Sequence, residues 1–131
     1  TAVLAMSAAR MGAASVLASD IDPVAVEVAI ANVKANGLEG RVGCVESIGF
    51  DSPVVKAGAP FDLIFANILK GPLIELASDM AAHLAPGGLA ILSGLLIEQA
   101  EDIVEIYQAQ GFDLQAREDL GEWSALTLCR H

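Results

Sequence analysis

Apolar residues in this chain fall into short unbroken runs and into longer stretches with helical spacing. The clearest run, residues 63–66, predicts a strand buried on both faces, as in a parallel sheet. Polar Asn67 follows where that strand ends, and Gly71 and Pro72 then open a helix. An amide at the end of a buried strand needs a hydrogen-bonding partner, which is either the next turn or a bound ligand.

The rest of the pattern alternates strands with helices. Asp22 and Pro23 are the expected N-cap and first residue of one helix, in which Val24, Val28 and Ala31 form the expected buried stripe. Helices are predicted over residues 1–11, 23–36, 72–84 and 98–110, and strands over residues 15–19, 41–45, 61–66, 89–92, 112–116 and 123–129.

This order of elements predicts an α/β fold with a doubly wound, mostly parallel sheet. The last two strands are joined by a short turn and therefore form an antiparallel hairpin at the C-terminus. A length of 131 residues fits one domain. Because ligands bind at the carboxyl ends of the strands in such sheets, Asn67 and Asp20, which follow two different strands, are the first candidates for a site.

Composition and charge narrow the classes of function. The net charge is −10 and the seven basic residues are scattered, which disfavours direct binding of nucleic acid. Two cysteines and two histidines without ligand spacing predict no metal site. No apolar run approaches the roughly 18 residues that cross a bilayer, and no signal-peptide pattern opens the chain, so a cytoplasmic protein without membrane contact is expected.

Asp20 allows two interpretations. An acid after this strand accepts hydrogen bonds from both hydroxyls of a ribose, as in dinucleotide sites, and Ile21 then lies against an adenine ring. Alternatively, Asp20 is a turn acid that competes with Asp22 to cap the next helix. The residue types alone leave both interpretations open.

Three segments together resemble one protein family. They are Ser-Asp-Ile-Asp-Pro at 19–23, Ala-Asn-Ile-Leu-Lys-Gly-Pro-Leu at 66–73 and Leu-Ser-Gly-Leu-Leu-Ile-Glu-Gln-Ala-Glu at 92–101. In order and spacing they resemble the bacterial ribosomal protein L-eleven methyltransferases, which are Rossmann-like S-adenosylmethionine-dependent enzymes, and Glu122-Trp123 fits the same pattern. The likeness extends over essentially all 131 residues, which implies one methyltransferase domain over residues 1–131.

The resemblance implies roles for individual residues. Asp20 corresponds to the acid that binds the ribose of S-adenosylmethionine, and Asn67 to the asparagine of the cofactor and acceptor pocket. Ile21, Glu46 and Ser47 are expected to border the adenine. The implied reaction is methylation of lysine side chains and of an N-terminal amine on one large-subunit ribosomal protein, which is the expected partner.

Chemistry suggests how Asn67 contributes to that reaction. The acceptor nitrogen must present a lone pair, and desolvation lowers the pKa of a lysine amine. The Asn67 side-chain oxygen and the Ile68 carbonyl are expected to accept hydrogen bonds from the amine and aim it, so that positioning supplies most of the rate. Asp20 and Asn67 are expected to converge on the same ligand.

The chain departs from the family pattern at its start. The first strand of the family's sheet, the glycine-rich loop after it and the substrate-recognition domain are expected to be missing, and Ala2 stands where the last glycine of that loop is usual. Two strands are therefore expected to keep unpaired edges, so that the chain folds poorly or self-associates. Two other functions stay open: a nicotinamide-dependent oxidoreductase, and a non-catalytic nucleotide-binding or scaffold fragment.

Overall fold

The computed structural model of the chain describes residues 2–13 and 15–131, so the first residue of the predicted N-terminal helix lies outside the described part. The chain divides into two compact units, Thr1–Gly58 and Ala59–His131. Each unit combines helices with parallel strands. The predicted α/β class is therefore confirmed.

The first unit contains a two-stranded parallel sheet. Strands β1 and β2 pair in register from Val16 opposite Val42 to Asp20 opposite Glu46. The elements of this unit are α1 (Val3–Arg10), β1 (Val16–Asp20), α2 (Pro23–Ala35), β2 (Val42–Glu46) and α3 (Pro53–Gly58).

Helix α2 begins as the sequence predicts, because the Asp22 side chain accepts a hydrogen bond from the Val24 N–H and Pro23 is the first helical residue. The predicted buried stripe of α2 is wrong, however: Val24, Val28 and Ala31 are all exposed. The buried residues of the helix are Ala29 and Val33. Since apolar residues surround almost the whole helix, helical periodicity alone does not identify its inner face.

The core of the first unit lies where α1, α2 and β2 meet. Its buried residues are Ala9, Val33, Leu38 and Val42. The Arg41 guanidinium donates a hydrogen bond to the Ala9 carbonyl near the end of α1. The same carbonyl also accepts the Gly12 N–H, so the Arg41 bond adds a link between the end of α1 and the start of β2.

The second unit contains a four-stranded sheet in the order β3-β4-β6-β5. Strands β3 and β4 are parallel, whereas β6 is antiparallel to both β4 and β5, which confirms the predicted terminal hairpin. Its elements are β3 (Phe61–Asn67), α4 (Lys70–Glu75), α5 (Ala77–His83), β4 (Leu84–Leu96), a 3-10 turn (Ile97–Gln99), α6 (Ala100–Ala109), β5 (Phe112–Leu120) and β6 (Trp123–Arg130).

Strand β3 differs from its prediction. Leu63 and Phe65 are 41% and 39% exposed, so the strand is not buried on both faces. In the described residues β3 has a strand neighbour, β4, on one side only, and β1 likewise pairs only with β2. The unpaired edges that the sequence predicts are therefore present, and the face of β3 that carries Leu63 and Phe65 is open.

Three other predicted elements change in detail. The helix predicted over 72–84 is two helices, α4 and α5, that meet at Leu76. Strand β4 begins at Leu84, before the predicted start at residue 89, and its pairing with β3 shifts register between Phe61 and Leu63. Strand β5 is exposed almost throughout, with only Phe112 buried, because it is the outer strand of its sheet.

The core of the second unit is built on the central strand β4 and on helix α6. Ala100, Ile103 and Tyr107 recur at helical spacing and are fully buried on one face of α6. The Tyr107 hydroxyl donates a hydrogen bond of 2.8 Å to the Leu73 carbonyl oxygen, and the ring packs at 5.4 Å from that of Phe112. Helix α6 thereby holds α4, the helix that follows Asn67 in the chain.

None of the helices in the described part of the chain has the length and apolar character that crossing a bilayer requires.

Candidate functional site

The carboxyl ends of β1 and β2 carry four of the residues predicted to bind a cofactor. Asp20 and Glu46 are paired opposite each other at the last position of the two strands. The Asp20 carbonyl oxygen accepts the Ser47 N–H at 2.9 Å, which extends the ladder by one more bond. Asp20, Glu46 and Ser47 are thus neighbours at one sheet edge, and exposed Ile21 follows directly.

The side chain of Asp20 is only partly engaged. It is exposed, and its Oδ1 accepts the Asp22 N–H at 3.0 Å. Asp22, in contrast, uses its carboxylate as the helix cap. Asp20 therefore keeps a second carboxylate oxygen at the strand end, while Ile21 is 63% exposed beside it.

Ser47 serves the local fold. Its side chain is buried, and its hydroxyl donates to the Gly49 carbonyl at 2.7 Å while it accepts the Ser52 N–H at 3.1 Å. Both functions of the hydroxyl are therefore used within the loop before α3. A contact of Ser47 with a ligand would involve its backbone rather than its hydroxyl.

The carboxyl ends of β3 and β4 form the second part of the candidate site. Asn67 is exposed at the end of β3 and is paired with Ser93 of β4. Beside them lies an open, mostly apolar cleft of about 460 Å³. The residues that line it are Asn67, Ser93, Gly94, Glu118, Leu120, Trp123, Ser124 and Ala125.

A hydrogen-bonded group fixes one wall of this cleft. Asp119 accepts hydrogen bonds from Arg117 and, at 2.7 Å, from the Ser124 hydroxyl. The hydrogen bonds from Arg117 and then Ser124 lower the pKa of the Asp119 carboxyl. Asp119 and Ser124 are also cross-strand partners in the β5–β6 hairpin, and the next pair is Leu120 and Trp123. These bonds therefore stabilise the end of the hairpin that carries Leu120 and Trp123.

Sequence reasoning identifies only Asn67 among the cleft residues. Ser93 and Gly94 follow the buried run of β4, and the rule that marks Asn67 after β3 marks them equally. Trp123 belongs to the Glu122-Trp123 pair that fits the family pattern, but the resemblance implies no role for it. Glu118 has no local signal, because the hairpin brings it to the cleft from a distant part of the sequence.

The structure places Asp20, Ile21, Glu46 and Ser47 together, and places Asn67 with Ser93 and Gly94. The expected convergence of Asp20 and Asn67 on one ligand stays a prediction. Among residues 2–13 and 15–131, no cluster of three or more acidic, cysteine or histidine side chains has the geometry for a metal ion.

Comparison with known proteins defines the class to which the chain belongs. A Rossmann-superfamily protein from Streptococcus agalactiae matches 98% of this chain with a TM-score of 0.79 at 17% identity, which supports the fold alone. The ribosomal protein L11 methylase of Lactobacillus delbrueckii subsp. bulgaricus matches 98% of this chain and 65% of its own, with a TM-score of 0.89 at 29% identity. The Rossmann-like fold is therefore confirmed.

The sequence comparisons define the family. The profile for ribosomal protein L11 methyltransferase (PrmA) matches residues 1–131. Proteins of that name from Brucella suis and Rhodopseudomonas palustris are 44% and 45% identical over 128 and 130 residues. These alignments cover 98% and 99% of this chain, but only 45% and 44% of the relatives. The chain belongs to the ribosomal protein L11 methyltransferase (PrmA) family and spans a little under half the length of these curated relatives.

Proposed function

We propose that this chain is the S-adenosylmethionine-binding, catalytic part of a protein N-methyltransferase that acts on amines of ribosomal protein L11. The family match over residues 1–131 carries the proposal. The full activity, the substrate and the cytoplasmic location all belong to this proposal. The net charge of −10 is compatible with a basic ribosomal protein as the partner.

The residues at the ends of β1 and β2 fit the adenosyl part of the cofactor. Asp20 offers an exposed carboxylate with one oxygen outside its turn hydrogen bond, which suits ribose hydroxyls. Ile21 offers an exposed apolar surface in the next position, which suits the face of adenine. Glu46 borders Asp20 across the strand pair, and Ser47, whose N–H is bonded to the Asp20 carbonyl, follows it at the same sheet edge.

The residues at the end of β3 fit the acceptor amine. S-adenosylmethionine, when bound, supplies an electrophilic methyl group on a sulfonium. Asn67 Oδ1 and the Ile68 carbonyl oxygen accept hydrogen bonds from the amine and orient its lone pair. The mostly apolar cleft beside Asn67 suits the alkyl stem of a lysine and favours its neutral amine through desolvation.

The open edge of β3 supports a second part of the proposal, that the chain of 131 residues associates with copies of itself. The strand has a neighbour on one side only in the described residues, and it exposes Leu63 and Phe65. Sedimentation of the chain at rising concentration should show oligomers. Leu63→Thr should weaken them, and Leu69→Thr, at an exposed apolar residue outside the strand, should not. A concentration-independent monomer would contradict this part.

The proposed reaction has a direct test. The full-length protein is incubated with ribosomal protein L11 and S-adenosylmethionine, and methyl groups on lysines and the N-terminus are identified by mass spectrometry. Omission of the cofactor is the control. Calorimetric titration with S-adenosylmethionine and with NAD separates the proposal from an oxidoreductase. Unmodified L11 together with no binding of S-adenosylmethionine would leave a non-catalytic fragment as the better description.

A further inference from the structure

Gly94 of β4 is packed unusually closely against the end of β3. Its φ is +80°, and a Cβ built on it would lie 2.6 Å from Asn67 Oδ1, 3.1 Å from the Ile68 carbonyl oxygen and 3.4 Å from the Ile68 nitrogen. The first distance is shorter than real Cβ contacts, so a side chain at this position would force a neighbouring atom to move. Two of the three atoms are the oxygens to which the proposed function assigns the acceptor amine.

We infer that Gly94 is a positioning residue for methyl transfer: the absence of a side chain at position 94 sets the place of the Asn67 amide oxygen. This inference rests on the proposed function. Gly94 itself lines the cleft beside Asn67. Both acceptor oxygens border the space that a side chain at position 94 would fill.

If position 94 carried a Cβ, the atom that would move is the Asn67 amide oxygen. Asn67 is exposed and its side chain rotates about two single bonds, whereas the Ile68 carbonyl belongs to the backbone between β3 and α4. Gly94→Ala should therefore leave the sheet intact and turn the Asn67 amide away from its place. The loss is expected in the catalytic step rather than in cofactor binding, because Asp20 and Ile21 are untouched.

A second glycine in the same strand separates this role from backbone strain. Gly87 also lies in β4 with a φ of +81°, but a Cβ built on it meets nothing within 4 Å. Alanine at position 87 therefore meets the same left-handed backbone as alanine at position 94, without the contact to Asn67. Gly87→Ala is the matched control.

The experiment compares four variants of the full-length protein: Gly94→Ala, Gly87→Ala, Asn67→Ala and the double variant Asn67→Ala/Gly94→Ala. Gly94→Ala should lower kcat by about tenfold or more, with affinity for S-adenosylmethionine within about twofold of wild type, because misplacement of a positioning group acts on the reacting geometry. Gly87→Ala should keep kcat. In the Asn67→Ala background, Gly94→Ala should have little further effect.

A spectroscopic measurement tests the same point without turnover. In protein labelled with 15N-asparagine, the side-chain amide signals of Asn67, assigned by their loss in Asn67→Ala, should shift in Gly94→Ala and stay in place in Gly87→Ala. If Gly94→Ala fails to fold, folding of the double variant supports the steric conflict with Asn67, and its failure to fold contradicts it.

Other outcomes overturn the inference. Equal kcat for Gly94→Ala and Gly87→Ala would do so, as would an equal loss from Gly94→Ala with and without the Asn67 side chain. A wild-type protein that does not methylate L11 would instead refute the proposed function, while the amide signals would still report whether Gly94 places Asn67.

Discussion

Asp20 and Glu46 face each other at the last position of the parallel β1–β2 pair. The bond from the Ser47 N–H to the Asp20 carbonyl oxygen follows immediately. Two acidic residues are thereby paired at the carboxyl ends of neighbouring strands, and the hydrogen bond from the Asp22 N–H fixes one oxygen of Asp20. This pairing gives Asp20 a defined place at the sheet edge.

Asp20→Asn should weaken binding of S-adenosylmethionine by about tenfold to a hundredfold, because hydrogen bonds to a charged acceptor contribute roughly 1.5–3 kcal/mol. Asparagine keeps an oxygen for the Asp22 N–H, so the turn should survive. Asp22→Asn is the matched control. This substitution also removes one negative charge close to Asp20, but it keeps the helix cap, because asparagine caps a helix as well as aspartate does. Calorimetry gives both affinities, and an equal loss in the two variants would argue against a ribose contact.

Asn67→Ala should lower kcat for L11 methylation by about tenfold to a hundredfold, because it removes an acceptor that orients the amine. The side chain is exposed, so its truncation should cost little stability. Asn36→Ala, at an exposed asparagine that ends α2, is the control for loss of an amide. Turnover and thermal unfolding of both variants are measured together. Unchanged turnover would remove Asn67 from the mechanism.

Ala2 has a φ of 63°, in the left-handed region that glycine adopts without strain. The resemblance to the family places a glycine at this position, so alanine retains the backbone geometry at a cost. Ala2→Gly should raise the free energy of unfolding by about 0.5–1 kcal/mol. The relief of backbone strain stabilises the folded state, and the greater conformational entropy of glycine in the unfolded chain offsets part of that gain.

Ala8→Gly, within α1, provides the opposite control for this glycine. A glycine in a helix interior should lower the free energy of unfolding by about 1 kcal/mol. Urea unfolding of the full-length protein compares the two variants. Losses of similar size in both would show that the left-handed backbone at Ala2 carries no strain.

Asp119→Asn should destabilise the protein at neutral pH. Hydrogen bonds from Arg117 and then Ser124 lower the pKa of the Asp119 carboxyl below its ordinary 3.8, so the charged form is favoured in the folded state. Its contribution is therefore complete above the unfolded pKa and is lost as pH falls through the lower, folded pKa. The difference in Tm between wild type and Asp119→Asn should shrink in strong acid.

Asp62→Asn is the control for this pH dependence, since Asp62 is an exposed carboxylate on a different strand, outside the bonds of Asp119. Its Tm should follow that of wild type across the same pH range. A difference between wild type and Asp119→Asn that is independent of pH would show that the charge of Asp119 is not the cause.

Local features were predictable from the sequence because their physics is local. The cap of α2 by Asp22 and Pro23 needs only neighbouring residues, and the terminal hairpin needs only two apolar runs joined by a turn. The positions of Asp20 and Asn67 at strand ends follow in the same way. Each requires only that a polar residue succeed an apolar run.

Burial was less predictable, because it depends on what covers a surface. Leu63 and Phe65 are apolar, as residues of a covered strand usually are. In the described residues, however, β3 pairs with only one other strand. In α2 the same difficulty arises, since Val24 and Val33 are chemically alike and only packing distinguishes exposed from buried. The register shift at the start of β4 likewise arises from pairing with β3.

The cleft residues depended on contacts between distant parts of the chain. Asn67 and Ser93 become neighbours through parallel pairing, and Trp123 reaches the same cleft through the hairpin. The sequence also could not predict that the Ser47 hydroxyl bonds within its own loop. A serine after a strand is compatible with either a ligand contact or a turn.

The sequence contains one tryptophan, Trp123, which is 52% exposed and lines the cleft beside Asn67. An indole that is half in water emits at longer wavelength than one from which water has been displaced. Its fluorescence is therefore a built-in optical probe of that cleft. The single tyrosine, Tyr107, is fully buried and hydrogen-bonded, so changes near the cleft would be read from the indole alone.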